Sequence, residues 1–230
     1  MKILALETSC EQASCALYID GTVVEKKSQE DKRRHSSVLM PMVMDLLHEN
    51  NLTADEIDLF AACSGPGSFT GIRIGMSAAK GMAFAANKPL ASARSLDILA
   101  AGYNSSAAIV CPVIDARNMQ VYTAVYEWKN GAYMPVTGYM GIHIEELAVI
   151  LKAATEHITI CGDAQETCLG FMKEAGIRDI GIDPANRFPS AAVLAKMAAT
   201  GSTLIKKGSA ADILPFYLRE SQAKKLYDKK

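Results

Sequence analysis

The sequence predicts an α/β protein of two related lobes in tandem, on three observations. Short apolar runs with strand character alternate with longer helical stretches along the chain, the pattern of sheets covered by helices. The two halves also begin alike. Leu4-Ala5-Leu6-Glu7-Thr8 is echoed by Pro112-Val113-Ile114-Asp115-Ala116, each an apolar strand ending in a carboxylate, and the offset of 108 residues carries on into Ser14-Cys15-Ala16-Leu17-Tyr18 against Tyr122-Thr123-Ala124-Val125-Tyr126. Such self-similarity marks duplication of one unit. Finally, Gly102 to Ser106 is a small, polar stretch near the middle. It divides an N-terminal lobe, 1–104, from a smaller C-terminal lobe, 105–230, whose tail can pack back on the first.

Taken in order, Ile3–Leu6 reads as a buried strand and Ser14–Ile19 as a second, with Asp20-Gly21 turning the chain into Thr22–Glu25. Ser36 or Ser37 caps a helix running to Glu49, with Pro41 in its first turns, where a missing N–H costs least. Asp58–Cys63 is a short strand, Ser64-Gly65-Pro66-Gly67-Ser68 a sharp turn, and Phe69–Ala86 a long helix stopped by Asn87-Lys88-Pro89. Leu90–Ala91 is a brief strand and Ser95 opens a helix towards Ala101. In the second half, Ala108–Ile114 and Gln120–Trp128 read as strands, with Lys129-Asn130-Gly131 as the hairpin turn matching Gly21. Glu145–Ala154, Thr167–Ala175 and Ser190–Thr200 read as helices, His157–Cys161 and Ile177–Ile182 as strands, and Ile213–Leu218 as an extended segment before a charged tail.

Composition bounds the function. Of 230 residues half are apolar and 21% charged, enough for a substantial core. No apolar run approaches the ~20 residues of a membrane span, and Glu7 interrupts the first apolar stretch too early for a signal peptide, so a cytoplasmic protein is expected. The six cysteines include no C-x-x-C pair and read as buried, reduced thiols. The net charge of −1 argues against a main nucleic-acid platform. The basic clusters Lys32-Arg33-Arg34, Lys224-Lys225 and Lys229-Lys230 read as solvated faces or tails.

A strand, a terminal carboxylate, a small polar turn and a second strand form an anion cradle, because successive turn N–H groups face one way and the carboxylate can position a metal or a water. Two in tandem point to the actin-like (ASKHA, sugar-kinase-like) fold, with nucleotide between the lobes. Glu7, Thr8, Ser9 and Asp115, with Gly162 from an abbreviated Gly162-Asp163-Ala164 adenosine loop, are the candidate nucleotide-binding residues. Any ATP or ADP with magnesium is expected to bind weakly. Gly65-Pro66-Gly67 lacks the lysine of a phosphate-gripping loop and reads as a turn that lets helix and strand approach closely.

The motifs carry a family resemblance as well. Leu6-Glu7-Thr8-Ser9-Cys10, the long Ser64–Gly75 signature with Ala78-Ala79-Lys80-Gly81-Met82-Ala83, and Pro215-Phe216-Tyr217-Leu218-Arg219 resemble the tRNA threonylcarbamoyl transferase family, TsaD, and more closely its short paralogues, the TsaB or YeaZ proteins. The resemblance is dense in the first lobe and loose in the second. The catalytic relatives hold a metal with His-x-x-x-His, and that register falls here on Ser95 and Leu99. The four histidines, His35, His48, His143 and His157, include no pair at i,i+3 or i,i+4. No metal site and no catalytic residue is therefore expected. Nor is there a Gly-x-Ser-x-Gly elbow to support the glycoprotease activity once attributed to the family. The resemblance implies a subunit that docks on a TsaD-type transferase, activates it, helps seat a TsaE-type P-loop ATPase, and forms a homodimer when isolated. The alternative is an actin-like phosphotransferase or ATPase using the cleft residues above.

Two first-lobe helices are over-apolar for surface helices. Only Asp45 interrupts Val38–Leu47, and Thr70, Arg73, Ser77 and Lys80 form one narrow polar stripe on the second helix. Five of the eleven methionines, Met40, Met42, Met44, Met76 and Met82, lie on these helices, and methionine suits surfaces that repack. Met40, Val43, Met44, Leu47, Ile72, Gly75, Met76, Ala79, Met82 and Ala83 are the candidate partner-binding residues. On this reading Met76→Asp or Gly75→Arg leaves a folded monomer unable to pair.

Overall fold

The computed structural model describes residues 1–28, 34–103 and 107–219. Its first sheet centres on β1 (Lys2–Glu7), which pairs antiparallel with β2 (Ser14–Ile19), itself antiparallel to β3 (Thr22–Lys27). On its other side β1 runs parallel to β4 (Leu59–Cys63), followed by β5 (Leu90–Ala93) and, antiparallel, by β13 (Lys206–Gly208) at the edge. Alternation along β1 sends its side chains to two cores. Leu4 and Leu6 meet α1 (His35–Glu49) and α2 (Phe69–Ala85), whereas Ile3 and Ala5 meet α6 (Ala191–Thr200).

The second sheet repeats the plan. β6 (Ile109–Asp115) takes the place of β1, flanked by β7 (Gln120–Thr123) and β10 (Met140–His143) on one side and by β11 (Ile158–Cys161) and β12 (Ile180–Ile182) on the other. α4 (Ile144–Leu151) and α5 (Gln165–Glu174) cover one face. The other face packs on α3 (Ser95–Gly102). The common strand order, 3-2-1-4-5 in each sheet, is the duplicated actin-like arrangement that the repeat implied. The helix after each fifth strand crosses over: α3 follows β5 but packs on the second sheet, and α6 follows β12 but packs on the first. Among the described residues no helix is long and apolar enough to cross a membrane.

Several expectations are corrected. The division at 104/105 falls on residues 104–106, outside the described residues, but 105–230 is not one packing unit, because α6 packs on the first sheet and β13 joins its edge. α1 begins at buried His35; Ser36 and Ser37 lie inside it, exposed, and Ser37 Oγ donates back to the Arg34 carbonyl at 2.9 Å instead of capping. The second hairpin is one residue tighter than the constant offset implies, pairing Asp115 with Val121 where the first pairs Glu7 with Ser14. The cause is a turn with three consecutive left-handed residues, Arg117, Asn118 and Met119 (φ 65, 53 and 56°). Gly131 is no counterpart of Gly21: it closes an inserted hairpin of β8 (Tyr126–Lys129) and β9 (Ala132–Pro135), so the 120–128 strand is two strands. Residues 213–218 join no sheet. The basic residues Lys32, Arg33, Lys224, Lys225, Lys229 and Lys230 lie outside the described residues.

Candidate functional site

The turn after β1 is filled by the chain itself. The N-terminus of α2 lies directly on it, with Ser68 N donating to Ser9 O at 2.7 Å, Thr8 Oγ1 donating to Gly71 O at 2.7 Å, and Gly75 N donating to Thr8 Oγ1 at 3.1 Å. Glycine permits the approach. A Cβ on Gly67 would stand 2.3 Å from Ser9 O, one on Gly71 2.0 Å from Thr8 O, and one on Gly75 2.3 Å from Thr8 Oγ1. The glycine-rich stretch is thus a packing device. Glu7, Thr8 and Ser9 are all buried. The Glu7 carboxylate accepts from Ser9 N at 2.7 Å and from the Cys10 thiol at 3.4 Å, and burial pushes its pKa above the ordinary carboxylate value against those bonds.

The second-lobe candidates diverge from it. Asp115, the repeat mate of Glu7, is exposed; its Oδ1 accepts from Arg117 N at 2.8 Å, and its own N–H donates to Asp163 Oδ1 at 2.7 Å. Gly162 (φ +105°) sits where a Cβ would be 2.1 Å from Val113 O, so it locks β11 against β6. Glu7, Thr8 and Ser9 come together in one turn, where the Glu7 carboxylate, Thr8 Oγ1 and the Ser9 backbone serve internal bonds, while Asp115 is left facing solvent.

The ten docking candidates divide. Val43, Leu47, Ile72, Gly75, Met76, Ala79 and Ala83 are buried beneath the two helices, against the first sheet. They hold this chain's own core, which corrects the sequence reading: Met76→Asp would bury a charge and Gly75→Arg would collide with Thr8, so neither would leave a folded monomer. The sequence pattern located the apolar helices but could not say which stripe the sheet claims. What remains outward is Met40, Met44 at 66% exposure and partly buried Met82, joined by Phe84, which sequence reasoning passed over and which is 82% exposed. Such an aromatic on a folded surface is itself a signal.

Ser95 and Leu99, on which the resemblance placed the metal register, are both buried. Ser95 Oγ donates to Pro66 O at 2.5 Å and Leu99 is fully buried among apolar side chains. One turn between them lies an unanticipated group, Asp97. This buried carboxylate accepts from Tyr126 OH at 2.6 Å and Tyr139 OH at 2.8 Å, joining α3 to the second lobe; burial raises its pKa while the two hydroxyls oppose the shift. A lone acid within Leu96-Asp97-Ile98-Leu99 was the available signal. A groove of about 520 Å³ opens between Lys27, Tyr103, Asp183, Asn186 and Ser190, and Asn186 donates from Nδ2 to Leu99 O at 2.8 Å.

The sequence profile described as TsaD, tRNA N6-adenosine threonylcarbamoyltransferase, matches residues 22–223. The tRNA threonylcarbamoyladenosine biosynthesis protein TsaB of Bacillus subtilis is 32% identical over 162 residues, 70% of this chain and 71% of that protein. Its namesake from Escherichia coli is 36% identical over 160 residues, 68% of this chain and 65% of that protein. The solved YeaZ from Pseudomonas aeruginosa is 31% identical and superposes with a TM-score of 0.79 over 94% of this chain and 99% of its own.

Proposed function

Because the chain belongs to the tRNA N6-adenosine threonylcarbamoyltransferase family, on its TsaB (YeaZ) branch, we propose that it acts in tRNA threonylcarbamoyladenosine biosynthesis as a non-catalytic subunit. In this reading it docks on the longer TsaD-type transferase and orders it, and the transferase places threonylcarbamoyl on the adenosine. A TsaE-type ATPase joins the assembly, tRNA touches this chain at most indirectly, and the isolated chain pairs with itself. The observation that carries the proposal is the outward apolar strip on α1 and α2, with Met44 at 66% and Phe84 at 82% exposure. Exposed apolar area of this kind is stabilised by a partner. The non-catalytic part is supported by the internal bonding of the Glu7 carboxylate and Thr8 Oγ1.

The test is light scattering on a sizing column, for the chain alone and mixed with the same organism's TsaD-type paralogue. A homodimer that exchanges into a one-to-one heterodimer is expected, and both are lost in Met44→Asp/Phe84→Asp without loss of fold. A monomer indifferent to the paralogue would remove the proposal. Robust magnesium-dependent ATP hydrolysis by the isolated chain, abolished by Glu7→Ala, would favour the phosphotransferase alternative.

A further inference from the structure

We infer that residues 213–219 form a latch that ties the first lobe to the second and sets the angle between the lobes. The segment has no helix or strand of its own. Its start is anchored in the first lobe, where Ile213 is fully buried in the core beneath α1 and α2. Phe216 N donates to Ser64 O at 2.7 Å, and its carbonyl lies so close over Gly65 that a Cβ there would be 2.8 Å away. Tyr217 stacks on Phe69 in the first turn of α2 with centroids 4.7 Å apart. Arg73 stands 3.7 Å over the Phe69 ring and donates from Nε to the Tyr217 hydroxyl at 3.1 Å.

The other end of the segment grips the second lobe. Phe216 meets Tyr139 edge-on at 5.7 Å, and the Arg94 guanidinium sits over both rings, 4.2 Å from Tyr139 and 4.6 Å from Phe216. Tyr139 is one of the two hydroxyls on Asp97, so the latch is continuous with that buried interlobe bond. Arg219 reaches the β6–β7 turn, donating to Ala116 O at 3.4 Å and to Gln120 Oε1. A single stretch of chain thus joins the turn after β4 to the turn after β6. Lacking its own backbone ladder, it is held by side-chain contacts, which is the construction of an element that can release locally. Because Tyr217 of the latch packs on Phe69 in the first turn of α2, displacing that turn and releasing the lobes from each other are coupled.

The test is amide hydrogen exchange with small-angle scattering on the full chain and on Phe216→Ala/Arg219→Ala. The amides of Ala116, Gln120 and residue 216 are expected to exchange about tenfold faster or more, with a larger radius of gyration and unchanged protection in β1 and β4. Unchanged exchange at 116 and 120 overturns the inference. Faster exchange without a change in radius also overturns it, because the segment would then only dress the turns. If the double variant fails to fold, Arg219→Gln leaves Ile213 and Phe216 seated; faster exchange at 116 and 120 supports the latch and no change refutes it.

Discussion

Gly71→Ala tests the claim that α2 is bolted to the turn after β1. The new Cβ would stand 2.0 Å from Thr8 O, where ordinary contact begins at 3.4 Å, and the obstacle is backbone on both sides. Relief requires the helix to withdraw by about an ångström or more, beyond hydrogen-bond reach. Three bonds depend on that seating: Ser68 N to Ser9 O, Thr8 Oγ1 to Gly71 O, and Gly75 N to Thr8 Oγ1. At roughly 1 kcal/mol each their loss costs about 3 kcal/mol. The gain from replacing glycine in a helix returns about 1 kcal/mol, leaving a net destabilisation of about 2 kcal/mol. Gly81→Ala, in the same helix, is the control. Nothing lies within 4 Å of its Cβ, so only the helix-propensity gain of about 0.5–1 kcal/mol remains. Urea unfolding should move the two midpoints in opposite directions at equal slope. Equal stabilisation of both variants would refute the close seating.

Three further outcomes follow from the same geometry. Thr8→Val keeps the shape but removes both bonds of Oγ1, to Gly71 O and from Gly75 N; a loss of about 1–2 kcal/mol is expected in the same urea assay. Glu7, held above its usual 4.5 by burial, favours its protonated form when folded. Its contribution is full below pH 4.5 and is lost as pH rises through the folded value, so Glu7→Gln should exceed the parent in melting temperature at pH 8 and converge with it towards pH 5. All six cysteines are buried, and burial pushes Cys15 and Cys168 to about 12 and Cys111 to about 11. A thiol reagent at pH 8 should therefore titrate none in the native chain and all six in urea.

Much of this was legible in local pattern. Ser14–Ile19 was read to the residue, because a continuous apolar run ends there on the Asp20-Gly21 turn. Ser190 was placed at the start of α6 and caps it, its Oγ accepting from Ala192 N at 3.2 Å. What failed did so for physical reasons. β13 is three residues of Lys206-Lys207-Gly208, with no apolar signal, and exists because β5 offers an open edge. Ser37 looked like a cap, but the burial of His35 starts the helix earlier.

The candidate site shows the same boundary. Glu7 and Asp115 are matched in sequence and both end a central strand, yet one is buried and the other exposed. The difference is that the α2 N-terminus sits on the first turn. The sequence by itself determined the duplicated α/β plan, the apolar character of α1 and α2 and the family motifs, since these reside in period and composition. Only tertiary structure decided which stripe of those helices faces the sheet, where α3 and α6 pack, and which segment bridges the two lobes. Each of those outcomes depends on contacts between segments far apart in the chain, which no local pattern records.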